Sequence, residues 1–477
     1  MGVSTRGRVL AAGRRGAVAA EEFVPVPVIE MELGQPLATI EPNRLGQVLV
    51  ICRIHGVPLG VLSLMERRHL AQPELDELLL DRFGTAIATH LRSDGLKGTS
   101  TTWKGLAAAA QRLRADACAM RVPASTRPAT VVICTLGADE RLPKAVESAL
   151  AQTHADLELI VVDNDPASGL VPAALRHVGD TRLRIIREPR RGLAVARNAG
   201  LAAVRSEIVA FTDDDATADP GWLAALIAPF DEHPDVMCTT GLVLPAELNT
   251  RPQLLFEEFG GFDKGFTRVV WSERRSGRDL TALGRPGEGG TLFPYSCGVF
   301  GSGNNMAFRA GPLRGRGGFD VALGAGSRTR GGEDLDSFLA VILSGGVIVY
   351  EPRAVIRHHA RSGLAELRRQ MYGYGTGMSA VIAKHFAARP ASAVQVARRM
   401  PAGVRKLLAP GSTKNDRRTR DYPGSLVRQE LAGYLAGPLL YFLSRRAARS
   451  RRLYDPPAEG TDADGGHRPA PAPGSLP

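Results

Sequence analysis

The chain has 477 residues, enough for two or three domains, and its hydrophobic fraction of 44% is normal for a globular protein. Its five cysteines, at 52, 118, 134, 238 and 297, are odd in number, scattered and without the paired spacing of a zinc motif, which argues against a disulfide framework and for reduced thiols in the cytosol. The formal net charge of +11 is local, because the stretch from Arg398 to Arg452 alone carries a net +11.

Residues 1–22 are basic and rich in Ala and Gly but lack the long Leu-rich core of a signal peptide, and they read as a disordered leader or a misplaced start. A small α+β unit is expected over 23–94. In it Gln47–Ile54 and Val57–Leu64 form two strands joined as a hairpin at His55-Gly56, and a helix from about Gln72 to His90 covers one face. The residues assign it no chemistry; packing on the rest of the chain, recruiting a partner and supporting a dimer all stay open. Residues 95–127, with a Thr-rich turn and an Ala/Arg-rich helix, read as a connector.

From 128 onward strands and helices alternate. Thr130–Thr135 is a short apolar run, Leu142–Gln152 has helical spacing, and Leu157–Val162 is a strand ending at Asp163-Asn164-Asp165-Pro166. Leu183–Ile186 is a third strand, Leu193 to Val204 a helix, and Glu207–Phe211 a fourth strand that delivers Asp213-Asp214-Asp215. This alternation implies a mostly parallel sheet with helices on both faces, in which ligands collect at the carboxyl ends of the strands. Thr135, Asp163 and Asp213 sit at such ends. Carboxylates suit hard cations such as Mg²⁺ or Mn²⁺, which leave positions for substrate phosphates. Side chains alternate along an extended segment, so Asp213 and Asp215 share one side as the metal pair and Asp214 faces the other. The plain alternative is an acidic turn before the helix that opens at Asp219-Pro220-Gly221-Trp222.

Further along, Gly301-Ser302-Gly303-Asn304-Asn305 is a small-residue loop leading into an apolar strand. Its glycines permit close backbone approach, and its Asn side chains offer both donors and acceptors to a ligand. Gly331-Gly332-Glu333-Asp334-Leu335-Asp336 opens a helix running to Leu343, placing its acids at a positively polarised N-terminus. His358 and His359 follow the strand-like runs Gly346–Tyr350 and Ala354–Ile356.

In this order the segments "VVICT", "ESALAQTHADLELIVVDNDP", "RRGLAVARNAGLAAVRSEIVAFTDDDATADPGWL" and "GGEDLDSFLAVILSGGVIVYEP" resemble a family 2 glycosyltransferase of the GT-A fold, in the actinobacterial type with an N-terminal extension. The resemblance covers roughly Ala129 to Ser362, within a catalytic domain over 128–362. It implies a nucleotide-sugar donor of UDP, dTDP or GDP type and a hydroxyl acceptor on a glycan, a lipid-linked sugar or a metabolite. It implies Mn²⁺ or Mg²⁺ at Asp213 and Asp215, with His358 as a further ligand, and inversion by one direct displacement. Asp163 falls where the family binds the nucleotide base, Thr135 beside the same nucleotide, and Arg197 near the diphosphate or ribose, with Asp214 counted among these donor-binding residues. Asp334 takes the place of the catalytic base, while Glu333 orients the acceptor or is itself the base. Asn304 and Asn305 line the sugar and acceptor site with the turn Gly317–Asp320, and Asp336 is grouped with them unless it is only a first-turn acid favouring the helix dipole.

A C-terminal helical basic region is expected over 363–453. Its first stretch, Leu364 to Phe386, is interrupted at Tyr372–Gly377, whose aromatics and glycines suit either an acceptor platform or a kinked packing helix. Leu431–Leu443 is apolar for thirteen residues, too short to cross a bilayer as a helix, which takes about 20. Beside Arg445, Arg446, Arg449, Arg451 and Arg452 it reads either as a segment lying in an anionic membrane interface or as a helix docked on the core with a solvated basic end. The location expected is accordingly the cytoplasm, with peripheral contact at the inner face of the plasma membrane as one of the two readings of that segment. The basic stretch has no nucleic-acid reading motif, and no nucleic acid is expected. Residues 454–477 read as a disordered tail. Two other classes compete: a nucleotidyltransferase, which needs a Gly-rich loop and a Lys that Gly137-Ala138-Asp139-Glu140-Arg141 does not supply, and a non-catalytic sugar-binding scaffold.

Overall fold

The computed structural model describes residues 23–36, 39–65, 70–98, 100–113, 118–273, 280–290, 292–390, 418–419 and 422–455. The expected leader, nearly all of the expected tail and much of the basic stretch between Arg398 and Asp421 lie outside the described residues.

In the N-terminal unit β1 (Val28–Glu32) runs parallel to β2 (Val48–Ile54), which pairs antiparallel with β3 (Val57–Leu64). The hairpin turns at His55-Gly56, both left-handed with φ of 51° and 80°, as a two-residue type I′ loop requires. The helix α1 (Gln72–Ser93) covers the sheet with Leu75, Leu79, Phe83, Ile87 and Leu91, a single stripe at helical spacing. The helix α2 (Trp103–Arg112) completes this core with Trp103, Leu106, Ala107 and Ala110, and its N-cap Thr102 accepts from the Gly105 backbone N–H. The expected hairpin and helix are both present; β1 is an addition, a five-residue edge strand in which Glu30 and Glu32 break the apolar run.

The large α/β unit begins with β4 (Ala129–Thr135), α3 (Leu142–Leu150), β5 (Leu157–Asp163), α4 (Leu170–Leu175), β6 (Leu183–Arg187), α5 (Leu193–Ala203) and β7 (Ile208–Asp213). Strands β6, β5, β4 and β7 are parallel neighbours in that order. Covered on both faces, β4 and β5 read as continuous Val/Ile/Leu runs, as strands without a solvent face do. The chain continues through β8 (Ala216–Ala218), α6 (Trp222–Glu232), β9 (Val236–Pro245), α7 (Arg251–Phe259), β10 (Val269–Trp271), β11 (Arg285–Pro286), β12 (Asn305–Arg309), α8 (Ala310–Gly315), α9 (Glu333–Leu343) and β13 (Val347–His358). The sheet order is β11-β10-β13-β9-β12-β7-β4-β5-β6, with β8 on β13 and β12 antiparallel to both of its neighbours. The α/β architecture is the one expected.

Two segments differ from expectation. The two runs before His358 form one strand, β13, with an irregularity between Glu351 and Val355. Residues Leu364–Ala388 form an uninterrupted helix, α10, packed along α11 (Gly424–Ser450). The glycines there serve closeness: a Cβ on Gly375 would lie 2.1 Å from the Glu430 carbonyl oxygen, and one on Gly433 2.3 Å from that of Tyr372. No helix among the described residues is long and apolar enough to cross a membrane.

The N-terminal unit packs on the large α/β unit. Val26 bridges to Leu248, Arg53 pairs with Asp219 at 2.5 Å, and Arg357 on β13 binds both Glu30 and Asp219.

Candidate active site

The carboxyl end of β7, the start of α9 and the facing sides of α10 and α11 enclose a cavity of about 1940 Å³. A pocket for one drug-sized ligand measures about 300–1,000 Å³, so this one has room for two substrates side by side. Of the residues singled out in the sequence, Arg197, Asp213, Asp215, Asn304, Glu333, Asp334 and His358 line it, whereas Thr135, Asp163, Asp214, Asn305 and Asp336 do not.

Strand alternation works as anticipated across the acid triplet. Asp213 and Asp215 face the cavity, and Asp214 turns back to accept a hydrogen bond from the Thr135 hydroxyl. Burial pushes the Asp214 carboxyl up to about 7 despite that bond. Burial also raises Asp213, against the pull of Arg197. Asp215 is held below its usual range: burial opposes its charge, but His358, Arg361 and Arg141 outweigh it. Oδ1 of Asp215 is buried without a hydrogen-bond donor, and Nε2 of His358 stands 3.5 Å from it. A carboxylate oxygen left without a donor beside an imidazole nitrogen fits a shared cation, so the donor set suits Mn²⁺ or Mg²⁺. His359 turns away, toward Glu247 at 3.4 Å.

The other wall carries the Glu-Asp pair, with Gly332 as the N-cap of α9. Glu333 is buried and accepts from Nη1 of Arg197 at 2.7 Å. Burial pushes it up to about 7, against the guanidinium. Nη2 of Arg197 donates to the Gly303 carbonyl at 2.9 Å and stands 3.5 Å from Oδ1 of Asp213. Its guanidinium also lies 5.7 Å from the centre of the Phe319 ring. Arg197 thus borders the cavity as a fastened bridge between the acid triplet and the Glu-Asp pair. Asp334 is half-buried, and among the described residues its one hydrogen bond is to the neighbouring Leu335 N–H at 2.8 Å. Of the two acids it is the one without an ion pair among the described residues, since Glu333 is held by Arg197.

The residues outside the cavity have identifiable work. Asn305 is fully buried: its Oδ1 accepts from Trp222 Nε1 at 2.8 Å, and its Nδ2 donates to Leu242 and Ala354 carbonyls at 3.0 and 2.9 Å. Those bonds fill the irregularity in β13, so Asn305 joins strands and does not face sugar. Asp336 is fully buried under Arg316, Lys384 and His385. As the fourth residue of α9 it points away from Asp334, into the joint between α9 and α10. In the Gly317–Asp320 turn Phe319 is buried, and Asp320 accepts from Tyr441 and Tyr454 hydroxyls, both at 3.0 Å, tying the turn to α11 and its end. Asp163 lies at the end of β5 with Oδ1 bonded to the Asp165 N–H at 3.1 Å and Oδ2 buried without a partner.

Three features of the site escaped the sequence reading. Phe262 packs edge-on against His358 at 5.3 Å between ring centres, and Phe259 stacks on Tyr374 at 6.0 Å, forming an aromatic wall. A Cβ on Gly303 would lie 2.9 Å from Oδ2 of Asp334. The α11 wall, including Leu435 and Phe442, continues onto an apolar ridge where Leu435 and Leu439 are 85% and 65% exposed.

Residues 130–300 match the model of glycosyl transferase family 2. Over those residues the chain is similar to family 2 glycosyltransferases. Its curated relatives include a glucosyl-dolichyl phosphate glucuronosyltransferase of Haloferax volcanii, 32% identical over 145 residues, which are 29% of this chain and 46% of that protein. A succinoglycan biosynthesis protein, ExoO, of Rhizobium meliloti is 34% identical over 27% of this chain and 41% of its own. A pre-mycofactocin glycosyltransferase of Mycobacterium tuberculosis is 27% identical over 41% of this chain and 36% of its own. The chain thus spans less than half the length of each of these relatives. Among solved structures, a Pyrobaculum calidifontis mannosyltransferase in complex with GDP-Man and Mn²⁺ aligns with a TM-score of 0.40 at 18% identity, over 76% of this chain and 96% of its own. The family 2 match ends at residue 300, so α9 with its Glu-Asp pair, β13 with His358, and the α10–α11 wall lie beyond it.

Proposed function

We propose that this protein is an inverting, metal-dependent glycosyltransferase that moves a sugar from a nucleotide-sugar donor to the hydroxyl of an amphiphilic acceptor. The observation that carries this reading is the pairing, within one cavity, of a metal-ligating wall (Asp213, Asp215 and His358) with a separate carboxylate, Asp334, that has no ion-pair partner among the described residues. Asp213 and Asp215 would hold the divalent cation with His358. When bound, the cation supplies charge neutralisation to the leaving diphosphate. Arg197 and the Gly303 carbonyl fix Glu333 and hold the two walls at a set spacing. Asp334 takes the proton of the acceptor hydroxyl as its oxygen bonds the anomeric carbon and the carbon–phosphate oxygen bond breaks. One displacement inverts that carbon. Asp163, with an unpartnered buried oxygen at the end of β5, supports recognition of the nucleotide base.

The amphiphilic acceptor follows from α11. Its cavity-lining face merges with the ridge of Leu435, Leu439, Phe442 and Leu443, and the exposed Arg445, Arg446 and Arg449 lie next along the same helix. Inserting two leucines of such a ridge into an acyl boundary contributes roughly 3–6 kcal/mol, and each arginine near an anionic surface about 1 kcal/mol. A lipid-linked acceptor presented at a membrane surface would enter along this ridge.

The test is Asp334→Asn. It should keep metal-dependent nucleotide binding while product formation from candidate nucleotide-sugars falls by at least about 10³-fold, the scale of a lost general base. Normal turnover in the variant would take the base role from Asp334.

A further inference from the structure

A second group of metal-ligating side chains lies in the N-terminal unit, remote in sequence from the cavity residues. His55 at the β2–β3 turn, His90 and Asp94 at the end of α1, and Cys118 in the connector each turn one donor atom to a common point. Nδ1 of His55 is 3.1 Å from Oδ2 of Asp94. Nε2 of His90 is 3.2 Å from that nitrogen, 3.2 Å from the same carboxylate oxygen and 3.3 Å from Sγ of Cys118. All four donor atoms lie within 4.8 Å of one another. Zinc bonds of about 2.0–2.3 Å in a tetrahedron put neighbouring donors roughly 3.2–3.6 Å apart; four of the six donor pairs, at 3.1–3.3 Å, lie at or just below that spacing, and the two others fall within 4.8 Å.

Hydrogen bonding accounts poorly for this convergence. Nε2 of His90 has three close neighbours, and a ring nitrogen carries at most one proton. The other nitrogen of His55, Nε2, is 3.2 Å from the Ala110 carbonyl oxygen, which only accepts, so the ring's proton belongs there. In the neutral ring Nδ1 of His55 then turns a lone pair toward the Asp94 carboxylate, a repulsive pairing that a cation between the two atoms relieves. An N–H bonded to a backbone carbonyl on the far side of the ring is the usual way a ligating histidine is oriented. The site is also dry and fixed: the side chains of His55, His90 and Asp94 are 0%, 1% and 3% exposed. Glu32 accepts the backbone N–H groups of His55 and Gly56, and Asp94 accepts that of Ala119.

We infer that His55, His90, Asp94 and Cys118 form a closed tetrahedral zinc site that clasps the N-terminal unit to the connector entering the large α/β unit. Thiolate and imidazole donors in a tetrahedron select zinc over Mg²⁺ or Ca²⁺, and four protein ligands leave no open position, so the site is structural and not catalytic. Binding releases the Cys118 thiol proton. The clasp sits at the joint, because two residues past Cys118 the Met120 carbonyl accepts from Arg353 of β13 at 3.0 Å.

The test is metal analysis of the full chain by inductively coupled plasma mass spectrometry, followed by replacement with Co²⁺. The site predicts one zinc per chain that survives dialysis and is kept by Asp213→Ala and Asp215→Ala but lost in Cys118→Ala and His90→Ala. It also predicts a thiolate-to-cobalt charge-transfer absorption absent from Cys118→Ala. On wild type, a strong chelator should lower the melting temperature and Zn²⁺, not Mg²⁺, restore it, a readout that needs no variant to fold. Wild-type protein that carries no zinc and takes up neither Zn²⁺ nor Co²⁺ overturns the proposal and leaves a hydrogen-bonded polar cluster. Cobalt spectra unchanged by Cys118→Ala overturn it as well.

Discussion

Asp336→Asn keeps the shape of a fully buried side chain and removes its charge. The carboxylate accepts from Nη2 of Arg316 at 2.6 Å, Nζ of Lys384 at 2.9 Å and Nε2 of His385 at 3.2 Å. The variant therefore leaves two cations facing a neutral amide, half of which donates. Removing one partner of a buried ion pair costs about 3–5 kcal/mol. Arg316 and Lys384 are 25% and 24% exposed, and Lys384 keeps Asp320 at 2.8 Å, so the lower end of that range, about 3 kcal/mol, applies. Burial opposes the Asp336 charge, but His385, Lys384 and Arg316 hold its carboxyl far below the ordinary range. A folded value below the unfolded one gives stability that is present above the unfolded value of about 4 and lost as pH falls through the folded one. Urea unfolding of wild type and variant should thus differ by about 3 kcal/mol at neutral pH, and the difference should shrink below pH ~4. A variant as stable as wild type at pH 7, with a raised acceptor KM, would refute this reasoning and return Asp336 to the acceptor site.

Gly303→Ala would push against Asp334, whose Oδ2 is 2.9 Å from the added Cβ; kcat should fall by about 10²-fold, as for an ångström-scale misplacement, with a stability loss of about 1–3 kcal/mol. Steady-state kinetics beside thermal melts check this, and unchanged kcat would place Asp334 away from the reacting hydroxyl. Replacing Leu439 and Leu443, 65% and 42% exposed and outside the cavity lining, by Glu should abolish co-sedimentation with anionic vesicles and leave turnover of a short soluble acceptor intact. Equal vesicle binding by the variant would remove the ridge from the membrane reading. Asn305→Ala should cost about 2–4 kcal/mol by stripping partners from Trp222 Nε1 and two buried carbonyls, measured by chemical denaturation. A variant of normal stability but altered sugar preference would contradict its role between strands.

The parallel half of the sheet was legible because its strands are buried on both faces and stand out as apolar runs between helices of helical spacing. The sides taken by Asp213, Asp214 and Asp215 followed from strand alternation alone. Beyond the acid triplet the signal fades: β8 and β10 have three residues each and β11 two, too short for any period to show. Asn305 and Asp336 were misjudged for a common reason. Their residue types suit a sugar site, but their work depends on Trp222, Ala354, Arg316 and Lys384, which local pattern does not bring near. Arg197 shows the middle case, bordering the cavity yet spent on Glu333 and Gly303. The four-residue interval between His90 and Asp94 at a helix end was the one local hint of the N-terminal cluster; His55 and Cys118 reach it only through the fold.

Whether a nucleotide-sugar and a divalent cation meet at Asp213 and Asp215 is read from thermal stabilisation with UDP, dTDP and GDP, each with and without Mn²⁺. A ligand that binds the folded state at a hundred times its Kd stabilises by about 2.7 kcal/mol. The account predicts a Mn²⁺-dependent rise in Tm with one of the nucleotides, lost in Asp213→Ala and in Asp215→Ala. No rise with any nucleotide, or a rise untouched by both substitutions, would contradict it.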